Sequence, residues 1–373
     1  MSTQPASTTE SWTPLPARDM VIGPGMVFGQ DRWDLTPLSG RPTARHLALN
    51  FTLIPAPLRD DVKQLVHVML TVDTPLDRLE RKAMARVRLT PTSIKAAFQD
   101  IAWFASWADT RGHDRFSAIT QDDLHAYAAV VAHGPWGQNT KQRRLFAASR
   151  FWLYAPYLRQ RAQLIQPFWE RHGIDAVVGP SEWTPENKSH PVHPATMSAL
   201  LIWCLHVVEQ GPTVTERLAV SCNEPCPLRQ TPKAAIANRL TTLPWLTSAL
   251  SADPVMTRQA VATACLITVA YLTGMRSDEV LSLRRGCCAP APGHQRGYEV
   301  RGRTYKAAVE QGRSIAGGVE REIPWRAIKP VADAIAVMES LHDADLLFPQ
   351  FLFKRWDKTP SPFDQCPSSV LRR

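Results

Sequence analysis

The run from Ala260 to Leu272 is apolar apart from Thr263 and Thr268, and it stops abruptly at Thr273-Gly274-Met275-Arg276. A stretch this long reads as a helix, yet it falls short of the roughly 20 residues that a membrane span needs, so no span is expected. Gly274 permits the turn that ends it. Ser277-Asp278-Glu279-Val280-Leu281-Ser282-Leu283 then opens a new helix, with two acids in the first turn where the helix dipole favours them. The pattern therefore puts Arg276 at a fixed, glycine-sharpened corner between two helices.

A second region is punctuated as clearly. Thr90 is a good N-cap and Pro91 suits the first helical position, where a missing N–H costs nothing. Ile94, Ala97, Phe98, Ile101, Ala102, Ala105 and Ala108 follow at spacings of three and four, and Gly112 stops the helix. Thr120 with Asp123 forms a capping box ahead of a stripe of Leu124, Tyr127, Ala128 and Val131. Asn139 is expected to cap a third helix, with Leu145, Ala148 and Trp152 on one side and Lys141, Arg143 and Arg144 in its first turns. Cations there oppose the helix dipole by about 0.3–1 kcal/mol each and ask for compensation, which a phosphate backbone would supply. An ordinary solvated basic face fits the same pattern.

Elsewhere the signals are weaker. Residues 1–45 are rich in Pro, Thr, Ser and Gly without an apolar period, which predicts a mobile arm or loosely packed extension before helical signals begin near Leu58. From Arg159 to Thr257 prolines break the pattern, leaving a helix from Pro194 to Glu209 and an exposed loop from Asn223 to Ala234. Tyr298 to Lys306 reads as a strand entering a hairpin and Arg321 to Trp325 as its return, with Gly312, Gly317 and Gly318 between them. Pro330 to Leu341 is a helix with Val331, Ala334, Ile335 and Met338 inward, followed by Leu346-Leu347-Phe348-Pro349 and an irregular tail.

A formal net charge of +9 over 373 residues favours a polyanionic partner. With no membrane span expected, double-stranded DNA is the better candidate, and the absence of a secretory signal pattern points to the cytoplasm. The seven cysteines show no Cys-x-x-Cys spacing, so free thiols are expected and no metal or cofactor. Cys222 and Cys226 with His206 are the alternative metal set.

The string Tyr271-Leu-Thr-Gly-Met-Arg-Ser-Asp-Glu-Val-Leu-Ser-Leu283 resembles the first catalytic-arginine box of the tyrosine recombinases, the phage-integrase family. The order of a helix with Phe-Ala-x-Trp, a short loop, Ile119-Thr-x-x-Asp-Leu124 and a basic helix resembles that family's core-binding domain. The resemblance implies a mainly α fold: an extension at 1–72, a SAM-like core-binding domain at 73–158, a partial α+β catalytic domain with a small β-hairpin at 190–350, and an irregular tail at 351–373. It implies site-specific DNA recombination and integration as the activity, with a homo-oligomer or a full-length recombinase on the same DNA as further partners.

Arg276 is then a catalytic arginine. A planar guanidinium bonds two oxygens of a phosphorane at once, which suits phosphoryl transfer. Taken alone, Arg276 also reads as a surface arginine paired with Glu279. Lys306 falls where the family carries a hairpin lysine that protonates the leaving 5′ hydroxyl, although basic hairpin residues also make plain phosphate contacts. Arg301 and Arg303 are expected to bind DNA in that way. The family's His-x-x-Arg box and tyrosine nucleophile have no counterpart here: no His follows His342 and no Tyr follows Tyr305. The chain is expected to bind DNA without cleaving it alone, and a non-catalytic DNA-binding regulator derived from an integrase is the alternative. A helical scaffold that never meets DNA is the third reading. Without the family's C-terminal helices, Ala264, Leu266 and Ile267 are expected to lie exposed.

Overall fold

Caps and glycines set the boundaries of a mainly helical structure. The computed structural model describes residues 14–44, 46–73, 88–180, 191–223, 254–293, 297–306, 308–310 and 313–353. The chain forms two units, one of Met1–Gly40, His46–Asn187 and Val309–Ala316, the other of Arg41–Arg45, Lys188–Ala308 and Gly317–Arg373.

In the first unit the N-terminal segment is structure, not a loose arm. Strands β1 (Val21–Gly23) and β2 (Met26–Val27) pair antiparallel, as do β3 (Arg32–Asp34) and β4 (Ala48–Asn50), where Trp33 faces Leu49. Met26, Phe28, Trp33 and Leu35 are fully buried in the same core as the helices that follow, which corrects the expectation for residues 14–44; residues 1–13 lie outside the described residues. Strands of two or three residues, turned by Gly25 at φ +69°, are too short to show an alternating pattern in sequence. The Trp33 ring stands edge-on to Phe51 at 4.6 Å, and Phe51 to Phe98 at 5.1 Å, a ladder of contacts each adding about 0.5–1.5 kcal/mol beyond burial. Helix α1 (Ala56–Thr71) fastens this segment through Lys63, whose Nζ donates to Asp31 Oδ1 at 2.9 Å and to the Gly29 carbonyl at 3.2 Å.

Helix α2 (Pro91–Thr110) starts as its sequence predicts, the Thr90 hydroxyl accepting from Ser93 N at 3.2 Å. Helix α3 (Gln121–His133) has both halves of its capping box, and the backbone N–H of Thr120 holds the Asp123 carboxyl down to about 2. Its stripe of Leu124, Tyr127, Ala128 and Val131 is buried. Helix α4 (Gln138–Leu153) begins two residues earlier than expected: Gly137, not Asn139, is its N-cap and no side chain caps it. Two single-turn helices, α5 (Trp169–His172) and α6 (Asp175–Val178), close the unit, and Trp169 Nε1 donates to Ser149 of α4 at 2.9 Å.

In the second unit, helix α7 (Pro194–Asn223) runs past the expected end at Glu209 and through Pro212. Gly211 explains how closely α10 approaches it. A Cβ there would lie 2.4 Å from Val337 Cγ2 on α10 (Lys329–Leu341), so the two helices approach at a position without a side chain. Helix α8 (Pro254–Thr273) is packed against α7, α10 and the turn at Gln350–Phe353. Ala264 and Leu266 are consequently 0% exposed and Ile267 is partly buried, which overturns the expected apolar exposure. Cys204 and Cys265 are free thiols in this core, and burial pushes Cys204 up to about 11.

Gly274 (φ +67°) separates α8 from the short helix α9 (Ser277–Leu281). A three-stranded antiparallel sheet follows in the order β11 (Trp325–Ala327), β6 (Tyr298–Val300), β5 (Cys288–Pro290), with Trp325 opposite Val300. Farther along the same hairpin β7 (Arg303–Thr304) pairs with β10 (Val319–Glu320); β8 (Val309–Glu310) and β9 (Arg313–Ser314), which pair with each other, belong to the first unit. The return is therefore split, and Pro324, which has no N–H to give, stands in the break. The expected α10 is present with Val331, Ala334, Ile335 and Met338 buried, and Leu347 N donates to the Leu283 carbonyl at 2.8 Å. Gly312, Cys226, the expected loop beyond Asn223 and the tail Lys354 to Arg373 lie outside the described residues. Among the described residues no helix is long and apolar enough to cross a membrane.

Candidate nucleic-acid interface

The corner at Arg276 is built by its neighbours. Thr273 Oγ1 donates back to the Val269 carbonyl at 2.6 Å and accepts from Met275 N at 3.3 Å, so one hydroxyl closes α8 and holds the turn. Met275 is buried, which plants the turn in the core and sends the next side chain outward. Arg276 is the N-cap of α9, and its carbonyl accepts from Glu279 N and Val280 N at 2.9 and 3.0 Å. Glu279 answers with its side chain: Oε2 accepts from Arg276 N at 2.8 Å and Oε1 from Arg276 Nη1 at 3.3 Å. The arginine side chain is nevertheless 60% exposed while Glu279 is 5% exposed. The arginine–glutamate pairing and an outward guanidinium are thus both present, and a buried acid aims an accessible cation.

The hairpin meets this corner. Thr304 Oγ1 on β7 donates to Glu279 Oε1 at 3.1 Å, so one carboxylate serves both elements. Arg41 reaches the same place, its Nη1 3.3 Å from Asp278 Oδ2 and its guanidinium carbon 4.9 Å from the centre of the Tyr305 ring. Lys306, two residues beyond Thr304, is exposed, and among the described residues no hydrogen bond or ion pair holds its side chain. Arg301 and Arg303 are also exposed; Arg303 Nη2 donates to the Gly318 carbonyl at 3.2 Å. Gly318 (φ +70°) is required here, because a Cβ would lie 2.7 Å from both the Thr304 carbonyl and Tyr305 Cε1.

The basic helix of the first unit is arranged differently. Lys141 Nζ donates to the Ala132 carbonyl at 2.6 Å, and Arg143 Nε to the buried Asp100 at 3.1 Å. Arg144 sits in a corner between two indoles, 4.0 Å from Trp103 and 3.7 Å from Trp136, whose rings are 75° apart. Gly134 makes room for that corner, since a Cβ there would overlap the Trp136 ring at 2.0 Å. Each of these cations has a contact within the unit, although Arg144 Nε and Nη1 have no hydrogen-bond partner among the described residues. Arg143 alone of the three keeps a largely exposed side chain, at 60%.

Sequence reasoning brought Arg276, Glu279 and Lys306 to one neighbourhood but missed Arg41 and Thr304. Arg41 and Asp278 are 237 residues apart, and nothing local to Arg41 signals the contact. Among the described residues no three His, Cys, Asp or Glu side chains gather as a metal-holding group. No protein-family model matches the sequence, and neither a curated protein nor a solved structure matches it. Fold and site by themselves define a mainly helical protein of two units, the second carrying an exposed arginine corner beside a basic hairpin.

Proposed function

We propose that this is an integrase-like DNA-binding protein of site-specific recombination, holding double-stranded DNA chiefly through its second unit. In this reading the first unit serves as the SAM-like core-binding domain, and the second corresponds to the first half of an integrase catalytic domain. The observation that carries the reading is the Glu279 carboxylate, which holds Arg276 and Thr304 together while leaving the guanidinium exposed. A guanidinium aimed in this way is a bidentate donor for phosphodiester oxygens, and a fixed donor costs no reorganisation when the anion arrives. In this reading Lys306, exposed and two residues beyond Thr304 in the chain, is the second donor. The attacking oxygen is missing within these 373 residues: no tyrosine follows Tyr305, and Tyr305 is itself 5% exposed.

The test is duplex binding by the full chain over a range of salt concentrations, paired with a suicide-substrate trap. Affinity is expected to fall linearly on a log–log plot, and Arg276→Ala should lower the slope by about 0.9, the value of one lost phosphate contact. No covalent adduct should form. Binding that ignores salt, or that Arg276→Ala leaves unchanged, sinks the proposal; a trapped adduct would show that the chain supplies a nucleophile after all.

A further inference from the structure

Arg276 and Lys306 stand on different elements, so how well they serve one phosphate depends on how firmly the hairpin is held against the corner. Two side-chain paths join the two elements. The inner one runs through buried Glu279 to Thr304. The outer one runs through Arg41, whose guanidinium bonds Asp278 beside Arg276 and lies over Tyr305, the residue before Lys306. The Arg41 side chain is 19% exposed, too enclosed for an ordinary surface cation. Gly318 passes close beneath the Tyr305 ring, which leaves that ring little room to retreat from the arginine. The Tyr305 hydroxyl is buried with no hydrogen-bond partner among the described residues, so it is the face of the ring that is used.

We propose that Arg41 is a positioning residue of the phosphate site, clamping the hairpin that carries Lys306 to the corner that carries Arg276. The inference rests on the reading of these two residues as phosphate donors. A guanidinium suits the task for two reasons: its edge bonds a carboxylate, and its flat face lies on an aromatic ring. Lysine reproduces only the charge. Arg41 thereby acts on Lys306 through Tyr305 without itself touching the phosphate.

The test uses the full chain with Arg41→Ala and Arg41→Lys, each alone and combined with Lys306→Ala. Hydrogen exchange at the amides of residues 303–306 and 318–320 should accelerate in Arg41→Ala by roughly three- to thirtyfold, as expected for one lost pairwise contact, while exchange in α2 and α3 stays unchanged. Asp278→Asn, which weakens the same contact from its other end, should reproduce the change in part. In anisotropy titrations with a mixed-sequence duplex, Arg41→Ala should weaken binding by roughly threefold or more and have no further effect once Lys306 is replaced. Arg41→Lys should restore part of the loss. Unchanged hairpin exchange overturns the clamp. So does an equal loss of affinity with and without Lys306, which would make Arg41 a direct phosphate contact. If the unsubstituted chain binds no duplex, the functional reading falls, and the exchange measurement still decides whether Arg41 holds the hairpin.

Discussion

The two units use much of their positive charge differently. In the first, several cations turn inward: Lys63 onto Asp31, Arg159 onto the fully buried Asp61, and Arg144 between Trp103 and Trp136, while Arg143 pairs with the buried Asp100 and keeps a side chain 60% exposed, as Arg276 does. In the second, Arg276, Arg301, Arg303 and Lys306 lie exposed, with Arg276 aimed by a buried acid. A run of basic residues in sequence therefore carries two different meanings. Where aromatic rings enclose the guanidinium, as at Arg144, the cation is part of the fold; where a single buried acid anchors one edge, as at Arg276 and Arg143, the guanidinium stays exposed.

The sharpest way to break this contrast is to remove the core on which the inward cations depend. Trp33→Ala should cost about 3–5 kcal/mol in chemical denaturation, because it empties a fully buried site packed against Phe51 and Phe28. A loss below about 1 kcal/mol would mean that residues 14–44 are the loose arm their composition suggested.

A paired substitution sharpens the comparison directly. Arg144→Ala should lower stability by about 1–2 kcal/mol through the loss of two ring contacts, and should leave duplex affinity nearly unchanged. Arg276→Ala should do the reverse, weakening duplex binding while stability stays within about 0.5 kcal/mol of the parent. Should both variants lose affinity to the same extent, the assignment of DNA to the second unit would be wrong.

Acid should expose a smaller difference. His342 is a neutral tautomer by its contacts: Nδ1 accepts from Ala344 N at 3.1 Å, and Nε2 lies 3.1 Å from the Leu347 carbonyl, to which it donates. Burial holds its pKa below the ordinary 6.5, so the unfolded chain binds a proton more readily. The stabilisation is complete above pH 6.5 and is lost as pH falls through the lower folded value. His67, lowered by burial alone, has the same sign in the first unit. Exchange followed as a function of pH should show the segment from His342 to Leu347 loosening on acidification, and His342→Gln should flatten that response. Smallest of all is Tyr305→Phe, which removes a buried hydroxyl without a partner among the described residues; stability should be unchanged or rise by up to about 1 kcal/mol, as thermal melting would show.

What the sequence disclosed was local. Thr90-Pro91, the Thr120–Asp123 box and Gly274 announce themselves because capping chemistry lies within three or four residues, and all three are present in the structure. What stayed hidden was set by distant partners. Nothing near Arg144 names Trp103 as its neighbour, and nothing near Gly211 names Val337 of α10 as the side chain that comes against it. The burial of Ala264 and Leu266 likewise depends on α7 and α10, which their own helix does not specify. At the candidate site, Arg276 and Glu279 were legible as a pair three residues apart, whereas Arg41 was not.

Glu279 has a consequence that concerns replaceability. Its two oxygens are both engaged, one by the backbone of Arg276 and the other jointly by the Arg276 side chain and the Thr304 hydroxyl. Glutamine has the same shape but only one oxygen; its amide nitrogen would face a donor at one end or the other. Aspartate keeps both oxygens and is one methylene too short to reach both elements. At this position neither the nearest neutral analogue nor the nearest charged one reproduces all three hydrogen bonds, so this one side chain ties the corner to the hairpin in a way no close substitute repeats.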